Sequence, residues 1–254
     1  MPGGLVTEKI DPIRPTDDKA LHLARILLRG SRYGALAVLD PETGFPLASR
    51  TLIGADVDGF PVMLVSELAS HTGALLADPR CSLLVGEPAK GDPLAWPRMT
   101  VAARAQRLEK GTFEHNVIRS RFLRRHPKSK LYADFPDFMF FKIWPECASL
   151  NGGFGKAYKI SRNELYISST LNAEIAKDEL HILARVASLS PDAANLLANK
   201  FSAEKSYNWE FTALDAAGIE LAHNEHILRI ELDRVAEDIK GLIVEYEKML
   251  MEIP

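Results

Sequence analysis

The chain has 254 residues, 46% of them apolar and 26% charged, and a formal net charge of −3. That length can bury a sizeable core as one large or two small domains, and the composition is that of an ordinary globular protein. The slight acidity argues against a general nucleic-acid binder, and no run reads as a signal peptide or a membrane span, so a cytoplasmic protein with neither nucleic acid nor membrane as partner is expected.

Residues 1–15 hold three prolines and two glycines and read as a loose arm. Thr16-Asp17-Asp18 makes a helix start with acidic groups at the positive dipole end; Leu21, Ala24 and Leu28 then share one face, and Gly30 is a stop. His22, beside apolar neighbours, reads as a packed or partly exposed helix histidine. Residues 33–39 read as a strand and Asp40-Pro41-Glu42-Thr43-Gly44 as a turn. Strands over 47–53 and 60–65 flank Ala55-Asp56-Val57-Asp58-Gly59, a polar loop ending in the glycine that a hairpin favours. The spacing predicts a short helix over 69–77, ended at Asp78-Pro79 because a residue before proline is pushed out of helical geometry. A short apolar strand over 81–85 follows.

Polar groups gather at one end of this stretch: Ser49 and Arg50, then Ser66, then Ser70 and His71 at the helix start. A helix start offers unpaired N–H groups and a positive dipole end. With Arg50 reaching over from the neighbouring strand, a phosphate or carboxylate site is expected. The competing reading pairs Arg50 with a surface carboxylate, Asp56 or Asp58.

Residues 87–97, with three prolines and a glycine, read as a loop leading through Arg98 into a strand over 99–108. Thr112 caps a helix that Pro127 stops. Its basic run, Arg119, Arg121, Arg124, Arg125 and His126, continuing to Lys128 and Lys130, is read as a solvated face, since no aromatic stacking platform is interleaved. An aromatic strand over 137–144 precedes Asn151-Gly152-Gly153-Phe154-Gly155-Lys156-Ala157, whose glycines allow backbone to approach a ligand closely. From Ser161 the texture changes. Asn172 is the expected cap of a helix to about 189, and Pro191 the first residue of another to about 201. Residues 207–214 and 219–222 form a hairpin, 226–232 a third strand and 235–251 a last helix. Cys81 and Cys147 are expected to be buried structural thiols, with no CxxC pair. His223 and His226 lack a third ligand and read as surface or strand-end histidines. No serine sits in a nucleophile-elbow context.

The order of Arg50, Val65-Ser66, Ser70-His71 and Asp78-Pro79 resembles the phosphate signature of the pyridoxamine-phosphate-oxidase-type FMN-binding split barrels. Residues 64–72 (LVSELASHT), 91–98 (GDPLAWPR), Asp137-Phe138 and Asn151-Gly152-Gly153-Phe154-Gly155 are most similar to a bacterial haem-iron-utilisation branch, haem oxygenase-like, with an extra C-terminal domain. The resemblance runs from about residue 25 to 251. It implies an α+β fold: a split β-barrel, antiparallel and Greek-key, over residues 1–160, with a smaller C-terminal α+β domain over 172–254. It also implies a homodimer and a small-molecule cofactor, FMN or alternatively haem, with Arg50, Thr51, Ser66, Ser70, His71, Arg98 and Lys156 as its binding residues. In that frame the chain is a flavin-binding oxidoreductase of unstated substrate, or else a haem-binding protein or a non-catalytic ligand-binding dimer. The other reading of the glycine loop is a tight turn in which Phe154 plugs the barrel end. In haem-cleaving members the iron ligand is a histidine of the C-terminal tail; no histidine follows His226 here. The C-terminal arginine–histidine segment that grips pyridoxamine phosphate is likewise missing from these residues.

Overall fold

The structure, a computed structural model, describes residues 13–202 and 206–253. A two-residue strand, β1 (Ile13–Arg14), precedes helix α1 (Asp18–Gly30), whose cap Asp17 accepts from the Ala20 N–H at 2.8 Å. Next come β2 (Tyr33–Leu39), β3 (Pro46–Ala55), β4 (Pro61–Ser66), helix α2 (Ser70–Ala77), β5 (Arg80–Val85) and β6 (Arg98–Arg107). Helix α3 (Phe113–Arg125) leads to the long β7 (Phe138–Asn151), then β8 (Ala157–Ser161) and the short α4 (Arg162–Leu165).

Six strands close into a barrel in the order β7-β4-β3-β2-β5-β6, with β6 returning to β7. The strands β2, β3 and β4 form a meander, and the crossover through α2 lays β5 beside β2, which is Greek-key connectivity. Alternation along each strand sends Leu36, Val38, Ile53, Leu83, Val101 and Leu150 into one apolar core. The β3–β4 turn is set by its own residues. Asp56 accepts from the Asp58 and Phe60 N–H groups at 3.0 and 2.8 Å, and Gly59 takes φ +91°. A Cβ on Gly59 would lie 2.5 Å from the Arg29 guanidinium, so glycine is required there twice over.

The C-terminal half holds α5 (Thr170–Ala187), α6 (Ala193–Phe201), an antiparallel sheet of β9 (Glu210–Asp215), β10 (Gly218–His223) and β11 (His226–Glu231), and α7 (Ile239–Met251). Its sheet order is β11-β10-β9, and its core includes Ile175, Leu197, Leu214, Ile219, Leu242 and Tyr246.

Several sequence expectations are corrected. Asn172 does not cap α5; Ser169 does, accepting from Leu171 N–H at 3.2 Å. Asn172 is instead buried, donating to Asp58 Oδ1 at 2.9 Å and accepting from Ala216 N–H at 2.9 Å. Cys81 is buried, but Cys147 lies on the outer barrel face and is exposed. Phe154 is 75% exposed and plugs nothing. Of the arm, residues 1–12 lie outside the described residues, while Ile13 and Arg14 pair in parallel with β8.

The basic run on α3 is the largest departure. Arg121, Arg125 and His126 are buried, because α3 is wedged between the barrel and the three-stranded sheet. Arg121 and Arg124 share Glu179, and Arg125 pairs with Glu220. A second knot lies beside them, where Asp215 accepts from Arg29 and, bidentately at 2.7 and 2.8 Å, from Arg229. Buried charges persist only when paired and hydrogen-bonded, so this seam fixes how the two halves meet.

Candidate functional site

Strand alternation on β3 divides the expected anion residues. Thr51 and Ile53 are buried, while Ala48 and Arg50 are exposed on the outer face. The Arg50 guanidinium lies over the Tyr33 ring, 4.9 Å from its centroid, and forms no ion pair with any described residue. Both carboxylates that could have claimed it are occupied elsewhere. Asp56 is buried against Lys142 Nζ at 2.7 Å, and Asp58 Oδ1 accepts from Asn172 at 2.9 Å. Arg50 therefore stands as an exposed cation steadied by an aromatic face.

Helix α2 begins next to this strand. Its cap residue, Ala69, makes no side-chain hydrogen bond, so no described side chain takes up the first-turn N–H groups. Ser70 is exposed, and the half-buried His71 places Nδ1 3.1 Å from Ser49 Oγ. Burial holds the His71 pKa below the ordinary imidazole value, so the ring is neutral at pH 7 and offers a hydrogen bond rather than charge. Ser66 serves the turn. Its hydroxyl donates to Asp137 Oδ2 at 2.7 Å, and its carbonyl accepts from Thr72 Oγ1 at 2.7 Å. The Thr51 hydroxyl is buried and donates to the Leu52 carbonyl at 3.3 Å.

Arg98 and Lys156 form a separate group. Arg98 pairs in register with Asn151, which pairs with Ala157, so both flank the glycine loop. That loop is a tight turn, with the Gly152 N–H donating to the Lys156 carbonyl at 2.8 Å and Gly153 at φ +108°. The Arg98 guanidinium donates to the Leu94 carbonyl at 3.2 Å, and Lys156 is exposed. Register runs from Arg50 through Ala35, Leu84, Thr100 and Ser149 to Lys159. By that route four strands, β2, β5, β6 and β7, lie between Arg50 and β8, and by the other way round the barrel two do, β4 and β7. The structure brings Ser49 to His71 and Arg98 to the glycine loop, and joins neither pair to the other.

Sequence reading placed Ser49 at this end but missed Tyr33 as the partner of Arg50. Tyr33 opens β2 opposite Leu52, which a two-residue periodicity could have revealed by setting Arg50 diagonal to it. Among the described residues no group of three His, Cys, Asp or Glu could hold a metal ion, and no helix is long and apolar enough to cross a membrane.

Comparison with known proteins follows the same geometry. A family profile described as "CREG, beta-barrel" matches residues 15–168. At 27% identity, over 96% of this chain and 79% of the other, the sequence is similar to "Non-canonical heme oxygenase HOZ, chloroplastic" of Arabidopsis thaliana. A protein of unknown function from Agrobacterium tumefaciens is similar in structure, with a TM-score of 0.79 at 28% identity over 94% of this chain and 99% of that one. A heme-binding protein from Mycobacterium smegmatis has a TM-score of 0.54 at 23% identity over 94% and 99%, a likeness of fold.

Proposed function

This chain belongs to the CREG β-barrel family, and from that premise we propose that it binds haem through the outer corner of its barrel around Arg50. The observation that carries this reading is Arg50 itself: an exposed guanidinium that forms no ion pair with any described residue and rests on the Tyr33 ring. Such a corner fits the acid group of a propionate. Arg50 would supply the charge and fixed fork, Ser70 a hydroxyl and its N–H, and neutral His71 a hydrogen bond, the Thr72 N–H being taken by the Ala69 carbonyl at 2.9 Å. Ser66 and Thr51 would hold the backbone of the corner in place. Haem is favoured because the similarity to the plant heme oxygenase extends through both halves of the chain. Bound haem would supply redox-active iron, and the residues named here would hold and orient its acid edge.

The second reading, FMN, rests on the same corner, since one hydroxyl, one guanidinium and a helix start suit a phosphate equally well. Visible spectra of the purified protein with added haemin or FMN separate the two. A Soret shift with haemin that weakens roughly tenfold in Arg50→Ala supports haem. Flavin binding with the same loss supports FMN. Equal affinities of wild type and variant for both would discard the corner.

A homodimer with an isologous interface belongs to this proposal. Leu39, Phe45 and Leu84 are exposed on β2, the β2–β3 turn and β5, beside the small Ala35 and Ala48. Covering that face with a second copy would let the copy bring Arg98 and Lys156 toward Arg50, closing a pocket that one chain leaves open. Light scattering that gives a monomer at micromolar concentration would overturn it.

A further inference from the structure

A groove of about 610 Å³ opens between the end of α3 and the tip of the β10–β11 hairpin; Arg32 and Leu52 line its barrel side, and Arg50 is not among its lining residues. That volume lies within the roughly 300–1,000 Å³ common for small-molecule sites. Its walls are chemically split. Leu52, Tyr132 and Ala222 supply apolar surface. The rim carries Arg32 and Lys128, and both pair with the single carboxylate of Glu225. Arg124 and Arg125, which also line the groove, are already neutralised by Glu179 and Glu220, and Glu210 is the second carboxylate in the wall. Arg32 and Lys128 thus converge on one carboxylate at the rim, Glu225, which has exposed side-chain surface.

A second, independent observation lies in the same wall. His126, 3% exposed, has Nε2 2.8 Å from the Ile53 carbonyl; a carbonyl only accepts, so Nε2 carries the proton. Nδ1 is then a bare acceptor, and it has no partner. Neighbouring Arg125, 4% exposed, binds Glu220 through Nη1 and the Ser31 carbonyl through Nη2 at 2.7 Å, while its Nε–H is unpartnered. Folded proteins rarely leave a buried acceptor and a buried donor side by side without partners. Both residues line the groove, with these two atoms buried beneath its surface.

We propose that this groove is a second binding site, distinct from the Arg50 corner, for a small molecule with one acid group and a flat apolar body. The carboxylate or phosphate takes the place of Glu225 at Arg32 and Lys128, and the body lies against Leu52, Tyr132 and Ala222. Because Arg32 and Leu52 belong to the barrel half and Ala222 and Glu225 to the sheet, occupation bridges the two halves.

Hydrogen exchange read by mass spectrometry tests this with two probes, 1-naphthoate and inorganic phosphate, at matched ionic strength. Millimolar 1-naphthoate slows exchange in peptides spanning 122–132 and 208–226, and phosphate alone does so more weakly. The affinity for 1-naphthoate falls at least about tenfold in Arg32→Gln/Lys128→Gln, as expected for lost charge-assisted hydrogen bonds. It disappears in Ala222→Trp, which fills the groove, and is unchanged in Arg50→Ala. Thermal melts establish that each variant is folded. No protection in either segment, equal affinity in the double variant, loss in Arg50→Ala, or equal protection by phosphate and 1-naphthoate would each overturn the proposal.

Discussion

Two kinds of arginine in this protein stand in contrast. Those of the seam, Arg29, Arg121 and Arg125, are buried and matched to Asp215, Glu179 and Glu220. The barrel corner has one, Arg50, exposed on a tyrosine ring and matched to nothing. The difference teaches where chemistry can happen. A guanidinium already satisfied on several sides has no capacity left for a ligand, and its removal is felt as instability. A guanidinium resting on an aromatic face keeps its fork free, and its removal is felt as lost binding.

Breaking the seam should have the largest effect. Asp215→Ala leaves Arg29 buried without its carboxylate and Arg229 with Glu231 alone, and denaturant unfolding should show a loss on the order of 3–5 kcal/mol. Arg50→Ala should stay within about 0.5 kcal/mol of wild type in the same assay. Similar losses in both would erase the distinction between the two kinds.

Acid should reproduce part of that loss without mutation. Burial alone would raise the Asp215 pKa, but Arg229 and Arg29 outweigh it and hold the folded value at about 2, against 3.8 unperturbed. The unfolded chain therefore takes up the proton first, so this contribution is complete above about pH 4 and is lost as pH falls toward 2. His126 acts in the same direction at higher pH. Burial and the Arg125 charge lower it to about 3 from 6.5, so its contribution begins to fall below about pH 6.5. Melting temperatures from pH 7 to pH 3 should decline steadily; a flat profile would contradict the paired, buried seam.

Smaller effects sharpen the comparison. Gly59→Ala strains a left-handed turn and drives a methyl group against Arg29, which should cost about 1–3 kcal/mol in unfolding experiments while leaving haemin titrations unchanged. Tyr33→Leu removes the ring beneath Arg50. Haemin affinity should drop only about two- to fivefold, as a cation–π contact of roughly 0.5–1 kcal/mol predicts. A larger drop would mean that Tyr33 touches the ligand directly.

What could be read in the sequence follows the same divide. The barrel strands were legible because their patterns are local: alternation over 33–39, a five-residue loop closing on Gly59, and Asp78-Pro79 ending α2. Arg50 could be singled out from its place ahead of a helix start. The role of α3 could not be read. Arg121 and Arg125 meet Glu179 and Glu220 at sequence separations of 58 and 95, and nothing in a helix-length window announces such partners. Asn172 misled for a related reason, since a cap-forming residue type was taken up instead by Asp58 and Ala216 from distant turns. The split of the site residues was hidden as well, because the strands that separate Arg50 from Lys156 come side by side only in the folded barrel.

That closure depends on one strand. On one edge β7 pairs with β6 along most of its length; on the other it pairs first with β4, through Phe138–Lys142, and then with β8, through Cys147–Asn151. Until residue 151 has left the ribosome, β4 and β6 both present unpaired edges, and no earlier segment can cover them. Synthesis of the first 137 residues therefore yields an open, edge-exposed sheet, and the barrel must form late and cooperatively when β7 arrives. Translational pauses before residue 151 has emerged would lengthen the life of that sticky intermediate, whereas pauses after its emergence would fall on a barrel already closed.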